Sequence, residues 1–292
     1  MRSYFILLLV FLTVVFLFSG CVMEQNGAAS SQKNLITQNV APDKWQNVAA
    51  GLDYKDVNVS QNLAGDDRDR PLQDGRPLLN FLLARVDPEK FVFRIYQNKN
   101  AGKTIQEIHQ NIGSLLTFNG SFFDENFKAI GLLISENKKF NNFSRAKLMN
   151  GVFALNKDNK VKFYYPPRDI SRKDYDFAIQ NGPVLIDQNG RITIHSETGQ
   201  KASRTAIGLD KNGNVIIIAI KQNLFNSENA VSLAQFANLL KSAPELKILG
   251  LRSVLNLDGG ASTGIMINNH YLPELSQVQN VVTVFRKYEN NK

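Results

Sequence analysis

The strongest constraint on the fold is a repeated alternation: short apolar segments of strand length, set apart by residues that turn the backbone. Candidate strands run Leu78–Val86, Phe91–Tyr96, Leu115–Asn119, Val152–Leu155, Val161–Tyr165, Val184–Ile186, Thr205–Leu209, Val215–Ile220, Val254–Leu257, Gly264–Ile267 and Val281–Phe285. Between them stand Lys157-Asp158-Asn159, Asp187-Gln188-Asn189-Gly190 and Asp210-Lys211-Asn212-Gly213-Asn214. Asn and Gly tolerate positive φ, so such sequences reverse the chain into hairpins and make antiparallel neighbours. Two segments have helical spacing instead. Thr104–Asn111 places Ile105 and Ile108 on one side, and Val231–Lys241 does the same for Leu233, Phe236, Ala237 and Leu240. Ser232 and Gln235 have capping-box spacing, which starts the second helix at Ser232. The expected fold class is α+β: a single domain with a mixed, mainly antiparallel sheet and helices packed on it.

The chain has 292 residues, 43% of them hydrophobic and 21% charged, which excludes a disordered or fibrous protein and provides enough length for a sizeable core. Basic side chains number 34 against 26 acidic, a net +8. No basic cluster interleaved with aromatics stands out along the sequence, so nucleic acid is not an expected partner and the charge reads as an ordinary basic surface. One Cys excludes a disulfide framework and a Cys-rich zinc site; His109, His195 and His270 lie far apart and give no support for a His-based metal site. No cofactor is expected.

Arg2 precedes an apolar run, Tyr4–Phe18, and then Ser19-Gly20-Cys21. The run is shorter than the ~20 apolar residues a bilayer span needs, and fits a secretory signal. Leu17-Phe18-Ser19-Gly20-Cys21 resembles a bacterial lipobox, in which the chain is cut before a Cys that takes the lipid; Phe18 departs from the usual Leu. The alternative is a plain signal peptide or uncleaved anchor with Cys21 incidental. The expected organisation is a lipoprotein signal over 1–20, a flexible tether over 21–44 rich in Gln, Asn, Ser and Ala, and a domain over 45–287. The expected location is the bacterial cell envelope, membrane-anchored, with the outer membrane preferred because Val22, not Asp, follows the Cys. The alternating charges from Asp66 to Arg70 read as a solvated loop.

Four segments crowd Gly and Asn against strands: Phe118-Asn119-Gly120-Ser121-Phe122-Phe123-Asp124, Gln180-Asn181-Gly182-Pro183-Val184, Ser203-Arg204-Thr205-Ala206-Ile207-Gly208 and Asn256-Leu257-Asp258-Gly259-Gly260-Ala261-Ser262-Thr263. Asp258 ends an apolar strand with two glycines behind it. It serves either as a carboxylate held at a sheet rim or as the local cap of a Gly-rich turn. Arg204 suits bidentate phosphate binding or an ordinary surface ion pair. Asn119 and Asn181 can donate to sugar or phosphate oxygens, yet Asn-Gly is first of all a turn sequence.

Taken as an ordered set, with the helix VSLAQFANLLK between the last two, these motifs resemble the phosphodiester glycosidase domain family. NLDGG is their most diagnostic piece, and the resemblance extends over about Trp45–Phe285. The resemblance implies an α+β fold with a cleft built from these loops, and hydrolysis of a sugar-phosphate diester at its glycosidic bond. It implies Asp258 as catalytic carboxylate, Arg204 as phosphate clamp and Asn119 as a further active-site group. Asn181, Ser262, Gly259 and Gly260 would hold substrate, and Asp124 and Glu228 are candidates for a second carboxylate. Ser121 and Ala261 are small departures from the family pattern. One carboxylate among scattered amides does not establish a divalent ion. The implied partner is a sugar-phosphate diester or phosphorylated glycan. The rival reading is a non-catalytic envelope lipoprotein that binds phosphorylated glycans through the same cleft. An amidase or peptidoglycan hydrolase lacks support, since no G-x-S-x-G elbow is present.

Overall fold

The computed structural model describes residues 44–60, 78–99, 102–196, 199–221 and 230–287. Cys21, Glu228, the signal segment, all but the end of the tether, and the 66–70 charge run lie outside the described residues. The strands begin with β1 (Gln46–Ala49), β2 (Leu52–Ser60), β3 (Leu78–Val86) and β4 (Phe91–Gln97). Helix α1 (Ile105–Ile112) precedes β5 (Leu116–Asn119), β6 (Leu133–Ser135), β7 (Lys138–Asn141), β8 (Gly151–Asn156), β9 (Val161–Tyr164) and β10 (Tyr175–Asn181). Next come β11 (Val184–Ile186), β12 (Thr205–Leu209) and β13 (Val215–Ile220), then α2 (Leu233–Ser242) and α3 (Pro244–Lys247). Four strands finish the domain: β14 (Arg252–Asn256), β15 (Ile265–Ile267), β16 (His270–Leu272) and β17 (Asn280–Arg286).

These strands form three antiparallel sheets in the orders β1-β2-β3-β13-β12-β14-β11, β7-β6-β10-β8-β9 and β16-β15-β5-β17-β4. The expectation of an α+β fold with helices packed as a layer is therefore wrong. Strand makes up 43% of the structure and helix 12%. The physical reason is that sheet covers sheet: one buried cluster takes Leu82, Ile207 and Ile217 from the first sheet, Phe153 and Phe177 from the second, and Phe93, Phe118 and Val284 from the third. Helices are left only the outer faces. On the back of the seven-stranded sheet, α2 stacks Phe236 on Phe81 with ring centroids 6.4 Å apart. Its start is fixed by the expected reciprocal cap between Ser232 and Gln235, and Thr104 with Glu107 does the same for α1. Helix α1 buries Ile105 and Ile108 against Met266 and Val281 of the third sheet.

Strand β2 was not evident in the sequence because Asp53, Lys55 and Asp56 interrupt its apolar pattern. Asp56 is buried, and its carboxylate receives both Lys221, just past β13, and His270 of β16, the latter at 3.1 Å. It ties the first sheet to the edge hairpin of the third. Burial alone would raise the Asp56 pKa, but the bonds from His270 and Lys221 outweigh it and hold the group below its ordinary value. Asp56→Asn should lower unfolding stability at pH 7 by about 1–3 kcal/mol, as measured by urea denaturation. Because the folded pKa is depressed, this contribution is complete above the ordinary aspartate value of about 3.9 and is lost as the pH falls below it. The stabilities of the two proteins should converge in acid.

Candidate active site

The four Gly/Asn-rich segments meet, and hydrogen bonds between backbone and side-chain amides hold them together. Asn119, at the buried end of β5, donates from Nδ2 to the carbonyl oxygen of Asp258 at 2.6 Å. Its Oδ1 accepts from the Thr205 hydroxyl at 2.8 Å and from the Gly264 N–H at 3.1 Å. The Asp258 N–H donates to the Gly120 carbonyl at 3.2 Å, and the Gly260 N–H to that of Ser203 at 2.7 Å. Asn256 donates from Nδ2 to the Gly182 carbonyl at 3.0 Å, which brings in the Gln180-Asn181-Gly182-Pro183 segment.

Sheet register explains why Asp258 and Arg204 share this rim. In the β12–β14 ladder Ala206 pairs with Asn256 and Ile207 with Leu255. One pair further out, the Leu257 N–H donates to the Thr205 carbonyl at 2.8 Å. Extended one step beyond the ladder, that register sets Arg204 opposite Asp258, and the Arg204 Cα lies 3.7 Å from where a Cβ on Gly259 would stand. The turn behind Asp258 needs its glycines: a Cβ on Gly259 would lie 2.9 Å from the Ser203 carbonyl oxygen, and Gly260 has φ +59°.

Asp258 accepts from the Gly259 N–H at 2.9 Å and from the Ser262 hydroxyl, in the short 3-10 turn Gly260–Ser262. Burial nonetheless dominates, and raises the carboxyl pKa to about 6 against the opposing bonds from Ser262 and Gly259. Arg204 is partly buried, and burial lowers its pKa. It does not pair with Asp258: Nε donates to the Val231 carbonyl at 3.1 Å and Nη2 to that of Gln200 at 2.5 Å.

The structure thus brings together Asp258, Asn119, Ser262, Gly259 and Gly260, with Arg204 at the adjoining register position. Asn181 is buried beside the Gly182 carbonyl that Asn256 holds, and neither atom of its side-chain amide bonds to a described group. Asp124 is placed differently. Its Oδ1 accepts from the N–H groups of Asn126 and Lys128, both at 2.9 Å, which makes it the organiser of its own turn. Among the described residues no group of three or more His, Cys, Asp or Glu is arranged to hold a metal ion.

A family model for phosphodiester glycosidases matches residues 113–285, more than half of the chain. The protein belongs to that family. No curated protein gives a significant match. Among solved structures, a hypothetical protein from Synechocystis superposes with TM-score 0.61 at 17% identity over 84% of this chain, which spans 64% of that protein's length. The catalytic domain of zebrafish N-acetylglucosamine-1-phosphodiester alpha-N-acetylglucosaminidase, auto-inhibited by its pro-peptide, superposes with TM-score 0.60 at 18% identity, covering 83% of this chain and 86% of that one. At these identities the structures establish a shared fold, and the family match supports a glycosidase-type function.

For this family member, the sequence reading missed several residues that hold the site. Gln180, fully buried, accepts at Oε1 from the N–H groups of Leu132 and Ser144 and donates from Nε2 to the Ser144 and Met149 carbonyls. Asn280 accepts at Oδ1 from the Ser121 N–H at 2.9 Å. Each adjoins a strand end, and a buried amide at such a position was the available signal. The raised Asp258 pKa has a stability consequence. Folding favours the protonated form, so the charged carboxylate costs stability above about pH 6, and that cost disappears below the ordinary aspartate value. Asp258→Asn should therefore raise the melting temperature at pH 8 and leave it nearly unchanged at acid pH. Ser262→Ala removes a bond to the charged form and should move the Asp258 titration, followed by carboxyl carbon NMR, further up.

Proposed function

We propose that the protein hydrolyses a sugar-phosphate diester at the glycosidic bond, with Asp258 as general base and Arg204 as phosphate clamp. The observation that carries this reading is a carboxylate tuned to about 6 and held at a sheet rim one register pair across from an arginine. A base with a pKa near the operating pH is well matched to its task. Asp258 takes a proton from water as the water oxygen bonds to the anomeric carbon, and the phosphate leaves with the electron pair of the broken bond. Phosphate is a good leaving group, so this step needs little acid assistance. Two of the five guanidinium N–H donors of Arg204 are engaged by carbonyls of described residues, and those that no described residue engages would bond phosphate oxygens. Asn119 acts as a positioning residue through its bond to the Asp258 carbonyl. Ser262 sets the Asp258 carboxylate, and Asn181 offers a buried amide to the sugar.

An α-N-acetylglucosaminyl phosphodiester is the first substrate to try. Activity should rise with pH through about 6 in kcat/KM. Asp258→Asn should abolish turnover while the fold survives, and Arg204→Lys should raise KM more than it lowers kcat. Full activity in Asp258→Asn removes that residue from the mechanism.

The N-terminal sequence supports a second part of the reading: export and anchoring in a bacterial envelope through a lipid on Cys21. Metabolic labelling with a fatty-acid analogue should mark the wild type and not Cys21→Ser.

A further inference from the structure

We propose that the surface over the sheet β7-β6-β10-β8-β9, made by its edge strands and by the loops that cover its outer face, is a docking strip for a polyanionic chain. That the chain is a phosphodiester-linked glycan, held at several phosphates beyond the one cleaved, rests on the function proposed above. Residues 133–181, which make this sheet and its loops, hold ten of the 34 basic side chains and five of the 26 acidic ones, a net +5 in a protein of net +8. All ten basic residues are exposed. Among the described residues only one of them, Lys139, has an ion-pair partner, Asp169 at 3.2 Å.

The charges are scattered in sequence and contiguous in space. Arg172 donates to the Asn137 carbonyl at 2.9 Å, which sets it beside Lys138 and Lys139. Through Asp169, Lys139 reaches the segment that carries Arg168, and the Arg168 guanidinium lies 4.2 Å over the ring of Tyr164. Lys162 and Arg168 both act electrostatically on Tyr164. Across the sheet, Lys139 pairs with Ile134, Ile134 with Ala178, Ala178 with Ala154 and Ala154 with Lys162. Between these two lysines Ile134, Ala178 and Ala154 are fully buried beneath Phe143 and Ile170, so the surface that spans from one lysine to the other is made by the segments that carry those two residues.

The strip starts at the candidate active site. Arg145, Lys147 and the exposed Leu148 belong to a loop that Gln180 grips through Ser144 and Met149. The loop crosses Gly182 so closely that a Cβ there would lie 1.8 Å from the Leu148 carbonyl oxygen. From this loop the covering segments run back over β10, whose seven residues extend about 23 Å at roughly 3.3 Å each. A polymer leaving the site meets positive charge along this path. A membrane-seated face would bury large apolar side chains, and between residues 133 and 181 Leu148 is the one large apolar side chain that is exposed.

The test uses a fluorescent poly(glycerol phosphate), a phosphodiester polyanion with no glycosidic bond to cleave. The full chain is compared with Asp258→Asn and with the triple variant Lys138→Gln/Lys147→Gln/Lys162→Gln. Those three side chains make no hydrogen bond or ion pair among the described residues. Anisotropy titrations from about 50 to 200 mM salt should show the triple variant binding at least about tenfold more weakly, with a salt slope shallower by about two to three. Asp258→Asn should bind as the wild type does, and the triple variant should turn over a small sugar diester at the wild-type rate. Equal polymer binding by wild type and triple variant would overturn the strip, as would a loss seen only on phosphatidylglycerol vesicles. Polymer binding that depends on the three lysines, in a protein that cleaves no diester, would keep the strip and overturn the substrate assignment.

Discussion

One buried amide governs the site. Asn119 has no water to fall back on, and its two side-chain atoms are satisfied only when Thr205, Asp258 and Gly264 all stand in place. An unmet buried polar atom costs about 1–3 kcal/mol. The third sheet, which carries Asn119 on β5, is thereby locked to the β12 and β14 ends of the first. Asp56 makes a comparable tie with ionic groups nearer the sheet edge, and the shared apolar core fills the space between. Geometry at the site is coupled to the packing of two sheets and is not a property of the loops alone.

That coupling explains how a carboxylate can be kept in an environment that disfavours its charge. Asp258 is held by its own backbone: its N–H by Gly120, its carbonyl by Asn119. The side chain is left with the Gly259 N–H and the Ser262 hydroxyl, too little to offset burial. A direct pair with Arg204 would stabilise the charged form and pull the pKa down. Instead the guanidinium is drawn aside by the carbonyls of Val231 and Gln200, so its charge is not consumed by the nearest acid. Two groups in adjoining register positions, each denied the other, form an arrangement that stability alone does not select.

Much of this was legible in the sequence, for identifiable reasons. Turn chemistry marked the hairpins, and strands such as Thr205–Leu209 and Val215–Ile220 fall where the apolar runs placed them. The capping box of Ser232 and Gln235 marked the start of α2. Fold class was misjudged because periodicity shows that a helix exists but not how much surface it covers; the buried face of each sheet is closed mainly by the other sheets. Strands β2 and β10 were missed because the buried Asp56 and Gln180 are polar residues satisfied only by partners remote in sequence. Asp124 shows the opposite case, since its Oδ1 is engaged by N–H groups two and four residues on. The convergence of Asn119, Gly182, Ser203 and Asp258 follows from strand register, and no segment carries that information alone.

The same lesson applies to charge. Along the chain the basic residues look like an ordinary surface, because Lys139, Lys162 and Arg172 sit on separate strands and loops, mixed with acids. Antiparallel pairing then stacks those segments at strand spacing and gathers most of the net charge on one sheet. Closely packed like charges repel one another, which destabilises the fold slightly, and a face of this kind with few internal ion pairs retains that cost. Acidic residues are few here, and among the described residues Asp169 beside Lys139 is the one that pairs with a basic residue of the strip. Their scarcity leaves the field directed outward from the edge of the catalytic rim, where a polyanion would be drawn in before its first phosphate reached Arg204.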